Sequence, residues 1–201
     1  GGSLEMLEIE QLPIAEKQKY ILHARAQLER LNRMFTDLLT LQKFDSHDYH
    51  LKLESVNLKE MFKTVCQSYK NRAEKQGINL ISKTEEVHVL ADKDKLEQVF
   101  DNLISNSLNY SSASELKLIA VIHADSVKIM VQDNGLGISE KEKEHLFVRF
   151  FRADTSRSRE KGGTGLGLAV VKSILDEHGS TIHVQTSPGM GFRFEFDLKK
   201  V

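Results

Sequence analysis

One cysteine, Cys66, in 201 residues excludes an internal disulfide, and with it the small cross-linked scaffolds of secreted proteins. No apolar run approaches the roughly 20 residues that a membrane-spanning helix needs, and no secretory leader is visible. An excess of one charge is also missing. The 28 Lys and Arg stand against 29 Asp and Glu, for a formal net charge of -1, so nothing draws the chain generally to nucleic acid or anionic membrane. These absences predict a soluble, cytoplasmic chain without nucleic-acid or direct membrane contact, long enough for one full domain and an appendage. Metal-ligand spacing is lacking among His47, His50, His88, His123, His145 and His183, which read as solvated or structural.

What is present falls into two regions of different periodicity. Ile14, Ile21, Leu28 and Phe35 recur every seventh residue, with Ala24, Leu31 and Leu38 in the second seam position. This heptad predicts a helix over 14–44 that pairs with another, in a homodimeric bundle, because one hairpin buries little alone. The segment before Pro13 is expected to end a preceding antiparallel helix. After Asp45 short apolar or alternating runs predict strands over 78–82, 87–91, 116–123, 126–132, 180–186 and 192–198. Helices are expected between them, one ending at the cap Gly179, and Ser139 to Glu142 reads as a capping box. The predicted fold is α+β, a two-layer sandwich of one mixed sheet with helices on one face, preceded by a helical hairpin. Residues 1–46 form the helical region and 47–201 the second domain.

Four glycines crowd the stretch "GGTGLGLAVV", behind the polar run "RADTSRSREK". A glycine-rich turn entering a helix suits phosphate, since N–H groups and the helix dipole favour anions. It is neither a Walker loop, which needs Lys and Ser or Thr after the last glycine, nor a dinucleotide fingerprint after a strand. Upstream, Asn102, Asn106 and Asn109 fall at i, i+4 and i+7, within one strip of roughly 60° on a helix. Asparagine is a middling helix former, so three together suggest a use: a carboxamide can coordinate Mg²⁺ and donate to phosphate. In "VQDNGLGI", Asn134-Gly135 reads either as a hairpin turn or as the sequel to an acceptor, Asp133, suited to the amine of adenine.

The order of these motifs resembles the catalytic, ATP-binding half of two-component sensor histidine kinases, in the superfamily shared with gyrase, Hsp90 and MutL. The corresponding boxes are "DNLISNSLNYS", "DNGLGI", "LFVRFFR", the lid "ADTSRSREKG" and "GGTGLGLA". "DEHGSTIHV" and "PGMGFRFEF" match the family's closing elements, so the resemblance spans about 45–199. Residues 14–44 resemble the second helix of the dimerisation and phosphoacceptor domain.

The resemblance implies two ligands, ATP and Mg²⁺. It gives Asn106 the amide oxygen for Mg²⁺, Asn102 a place near the γ-phosphate, and Arg152 the charge on that phosphate. Tyr110 would flank the nucleotide, Asp133 would accept from adenine, and Gly135, Gly137 and Ile138 would line the base. Gly163, Thr164, Gly165, Leu166 and Gly167 would form the phosphate cradle and lid hinge, while Phe147, Phe150 and Phe151 would anchor the lid. The lid itself is expected to be mobile without nucleotide. Asn109 stands where the family usually carries a phosphate-contacting lysine, and Phe192 where it usually has threonine.

No H box occurs in these residues, so the chain is expected to bind ATP without phosphorylating itself, as a piece of a protein that could be membrane-anchored. His23 lacks an adjacent acid and falls on the seam helix's solvent side, and His178 reads as part of a helix cap. The superfamily's hydrolases carry a glutamate base four residues before the Mg²⁺ asparagine, where Asn102 stands here. An amide takes no proton at neutral pH, so kinase chemistry on a histidine is favoured, with a response regulator receiver domain as onward partner. The alternative is a nucleotide-binding dimeric scaffold without phosphotransfer.

Overall fold

The computed structural model describes residues 13–46, 50–153 and 163–201. Helix α1 spans Ile14–Asp45, as the heptad predicts. The segment expected to form the other arm of its hairpin, the boundary region after 46, His47, and nearly all of the lid lie outside the described residues. Then follow β1 (Leu53–Asn57), α2 (Leu58–Lys75), β2 (Asn79–Lys83), β3 (His88–Asp92) and α3 (Lys93–Asn106). The chain continues through β4 (Glu115–Ile122), β5 (Ser126–Asp133), a one-turn α4 (Glu140–Lys143), α5 (Gly167–Glu177), β6 (His183–Thr186) and β7 (Phe192–Lys199).

Five strands form one mixed sheet in the order β2-β4-β5-β7-β6, parallel only between β2 and β4. Its period of two sorts the side chains. Phe194, Phe196 and Leu198 of β7 lie opposite Val131, Ile129 and Val127 of β5, all buried. The alternate residues Arg193, Glu195 and Asp197 carry charge on the other face. Against the apolar face sits the stripe Leu96, Val99, Phe100 and Leu103 of α3, each fully buried. Phe100 bridges the layers, edge-on to Phe62 of α2 at 5.3 Å and tilted on Phe196 of β7 at 6.4 Å.

Local chemistry fixes the helix ends. Asp92 caps α3 by accepting from the Lys95 amide at 3.1 Å, and its own amide donates to Nε2 of His178, whose Nδ1 meets the Ile174 carbonyl at 2.8 Å. His178 therefore ties the end of α5 to the start of α3. Gly179, at φ +68°, turns the chain out of α5, and the Ser180 amide reaches back to the Leu175 carbonyl. That turn delays β6 to His183, three residues later than the expected strand. The capping box at Ser139 and Glu142 forms as predicted. Strand β1 was not expected; it pairs antiparallel with β3, outside the main sheet.

Helix α1 has two working faces. The heptad positions Leu28, Leu31, Phe35 and Leu38 remain 40–62 % exposed. The other side of its C-terminal half buries Leu41 and Phe44 in the core, against α5. Asp45 closes this contact with a bidentate pair to Arg149, at 2.7 and 2.9 Å. Among the described residues no helix is long and apolar enough to cross a membrane.

Candidate nucleotide-binding site

A hollow of about 270 Å³ opens where α1, α2, α3, the segment after β5 and the start of α5 meet. Of the residues expected from sequence, Asn102, Asn106, Asn109, Tyr110, Gly137, Ile138, Phe151, Arg152, Gly163, Thr164, Gly165 and Gly167 line it. Asp133, Gly135 and Leu166 do not. Three segments far apart in sequence therefore converge on one cavity.

The asparagine strip is modified at its end. Residues 107–111 form a π turn, which advances less per residue than an α turn. Asn109 falls within it and still lines the hollow with Asn102 and Asn106, its Oδ1 accepting from Nη2 of Arg72 at 2.6 Å. Asn102 bonds back to its own helix, Nδ2 to the Gln98 carbonyl at 3.1 Å. Asn106 makes no side-chain hydrogen bond among the described residues, so its amide is free for a ligand.

Asp133 is 2 % exposed, behind the hollow rather than on its wall. Period-two alternation at the end of β5 turns it toward the helices. Oδ1 accepts from the amides of Gly135 and Phe192 at 2.9 and 3.3 Å, and Oδ2 from the Ser107 hydroxyl at 2.7 Å. Three donors satisfy a buried carboxylate, and Oδ2 keeps a lone pair.

Gly135 has a packing reason of its own. A Cβ on Gly135 would strike the Ser111 backbone, so glycine there lets β5 and the π turn pack. Asn134 is no hairpin turn: its Oδ1 accepts from the amides of Ser114 and Glu115, clamping β5 to β4. Leu166 is fully buried, its side chain anchoring the glycine loop in the core. By contrast, a Cβ on Gly163 would strike the Tyr110 hydroxyl, and one on Gly167 would meet Asn102 Oδ1 at 2.7 Å. These glycines keep the cavity open. The start of α5 has no side-chain cap, leaving first-turn N–H groups beside Gly167 and Leu168 on the cavity wall. Thr164 Oγ1 accepts from the Leu166 amide at 3.2 Å, and its own proton stays available.

The expected aromatic anchor divides. Phe147 packs on the core and Phe151 lies 5.6 Å from the His145 ring. Phe150 instead is 60 % exposed at φ +65°, its amide bonded to the Gly165 carbonyl. It holds the glycine loop through its backbone.

Sequence reasoning missed the four other charged residues of the wall: Arg30, Arg33 and Asp37 of α1, and Arg72 of α2. With Arg152, four guanidinium groups surround Tyr110. Burial pushes its phenol up, while Arg152, Arg30, Arg33 and Arg72 each pull it down. Nε of Arg30 and Nη2 of Arg152 are buried without a hydrogen-bond partner among the described residues, a condition that an anion relieves. The signal in the sequence was the second apolar stripe of α1, Met34, Leu41 and Phe44, which turns Arg30, Arg33 and Asp37 toward the domain.

Asp37 is the acid on this wall. Burial raises its pKa to about 6, against the pull of Arg33. An unfolded aspartate titrates near ~3.9, so its favourable contribution to folding is complete below that pH and is lost as pH rises through about 6. Asp37→Asn removes the titration. Its melting temperature relative to the unsubstituted chain should climb between pH 4 and 7, and parallel curves would refute the assignment.

Residues 91–201 match the family model of histidine kinase-, DNA gyrase B- and HSP90-like ATPases, more than half of the chain. The chain belongs to this family. The sensor histidine kinase WalK of Bacillus subtilis is 34 % identical over 185 residues, which cover 90 % of this chain and 30 % of WalK. The chain thus spans about a third of the curated relatives it matches, and it is a histidine kinase catalytic domain by these relatives. Two solved structures share the fold. Full-length ShkA in complex with AMPPNP is 23 % identical, with a TM-score of 0.79 over 99 % of this chain and 42 % of that one. Histidine kinase ThkA in complex with the response regulator TrrA is 24 % identical, with a TM-score of 0.76 over 100 % and 56 %.

Proposed function

We propose that this hollow binds Mg·ATP and that the domain transfers the γ-phosphoryl group to a histidine in signal transduction. One observation carries the reading: Asn106, whose amide is unengaged among the described residues, faces the same cavity as four guanidinium groups, two of them with buried N–H atoms that find no partner among those residues. Such a wall suits a polyphosphate and little else that a cell holds at high concentration.

In this reading Gly137 and Ile138 line the base, whose amine reaches past the wall to Asp133 and is accepted by the free lone pair of Oδ2. Tyr110 flanks the nucleotide. Arg152, Thr164, the glycine loop of Gly163 and Gly165, and the N–H groups from Gly167 take the phosphates. Asn102 lies near the γ-phosphate, its amide unable to act as a base, so positioning outweighs water activation. Among the described residues no three His, Cys, Asp or Glu cluster as a metal cage. The donor set fits a hard ion that keeps waters and phosphate oxygens and takes one neutral oxygen, from Asn106. Bound there, Mg²⁺ would neutralise phosphate charge.

The exposed seam of Leu28, Leu31, Phe35 and Leu38 supports a homodimer through α1, since such a stripe is costly in water. The complex of ThkA with a response regulator supports a receiver domain as the onward partner. An ATP-fed reaction belongs in the cytoplasm, whatever anchors the parent protein. No H box occurs in these residues, so the acceptor helix must be supplied in the assay. The test adds Mg·ATP, follows the melting temperature, then supplies an H-box-bearing helix and looks for acid-labile phosphate. Stabilisation with label supports the kinase, stabilisation without label favours a nucleotide-binding scaffold, and neither would sink the site.

A further inference from the structure

Arg72 lies on α2, outside every motif of the nucleotide boxes. Its Nη2 donates to Asn109 Oδ1 at 2.6 Å, in a part-buried contact, and both residues line the hollow beside Asn106 and Tyr110. The partner is a neutral amide, and no carboxylate within 4.0 Å pairs with Arg72 among the described residues. A guanidinium has five N–H donors in a rigid fork. One is committed to Asn109, and among the described residues the charge has no carboxylate partner in this half-buried wall, where Arg72 is one of four guanidiniums that act on Tyr110. The neutral Asn109 itself brings no charge to this wall. Its carbonyl oxygen does something else: it fixes where that fork sits. Asn109 lies in the π turn at 107–111.

We propose that Arg72 binds a phosphate group of the nucleotide and that Asn109 is its positioning residue, so that two residues on two helices supply charge and placement separately. This rests on the nucleotide reading above. It concerns the polyphosphate alone and leaves the base untouched, which makes it separable from a structural role.

The experiment measures the affinity of the chain for Mg·ATP and for adenosine by calorimetry, in Arg72→Gln, Arg72→Lys, Asn109→Ala, and the pairs Arg72→Gln with Asn109→Ala and Arg72→Gln with Asn109→Lys. Loss of a charge-assisted bond to phosphate predicts roughly 10- to 30-fold weaker ATP binding in Arg72→Gln, with adenosine within about twofold. Arg72→Lys should fall between, because the charge survives and the fork does not. Asn109→Ala should weaken ATP in the native background but add nothing to Arg72→Gln, as expected of one unit. The lysine at 109 should restore ATP binding lost in Arg72→Gln. Ligand-free melting temperatures confirm folding in each variant. Equal losses for ATP and adenosine, an unchanged ATP affinity in Arg72→Gln, or additive single effects would each overturn the proposal. If the unsubstituted chain binds no ATP, the nucleotide reading falls and this one with it.

Discussion

Asp133→Asn should weaken ATP binding by about 10- to 150-fold, the 1.5–3 kcal/mol typical of a hydrogen bond to a charged acceptor. The substitution is nearly isosteric and the fold should tolerate it. An amide oxygen can still accept from the Gly135 and Phe192 N–H groups, and the Ser107 hydroxyl can turn to accept from the new NH₂. What disappears is the lone pair that would take the exocyclic amine of adenine. In its place stands a donor facing a donor. Inosine triphosphate carries a carbonyl at that position, so the preference for ATP over it should flatten or reverse. Calorimetry with both nucleotides decides this. Parallel losses would assign Asp133 to the packing of β5 against α3 and the π turn, and remove it from base recognition.

The legible parts of the molecule were those where a single period rules. The alternation in "FRFEFDL" gave β7 and the heptad gave α1, each within about two residues of its place, and the 3.6-residue stripe gave α3 together with the π turn that continues it. The asparagines, the glycine loop and Arg152 were legible as a set because their order along the chain is distinctive. The remainder depends on contacts between elements. "LESVN" has only Val56 buried, so β1 shows no alternation and exists because β3 offers an edge. Gly135 is glycine because Ser111 lies against it, which no local pattern records. Arg30, Arg33 and Arg72 come from helices whose sequences resemble ordinary solvated faces. They join the site only when α1 and α2 are packed on the domain, and they make a neutral chain locally cationic.

That local charge bears on Asn106→Ala, where the largest effect on transfer is expected. Four guanidiniums and the N–H groups of α5 remain in the variant, so ATP should still bind and the ligand-free fold should not weaken, since alanine is the better helix former. The loss is specific. Asn106 has the one strip amide without a hydrogen bond among the described residues, so its neutral oxygen is free to meet Mg²⁺ at the phosphates. Stabilisation by ATP should therefore become insensitive to added Mg²⁺. Phosphate transfer to a supplied H-box helix should fall about 10²- to 10³-fold, as when one preorganised electrostatic group is removed. Melting curves with and without Mg²⁺, beside label transfer at saturating ATP, separate the two effects. A variant that keeps its Mg²⁺ dependence would move the metal's protein ligand away from Asn106, and a variant that loses ATP binding altogether would make this amide part of the phosphate grip itself.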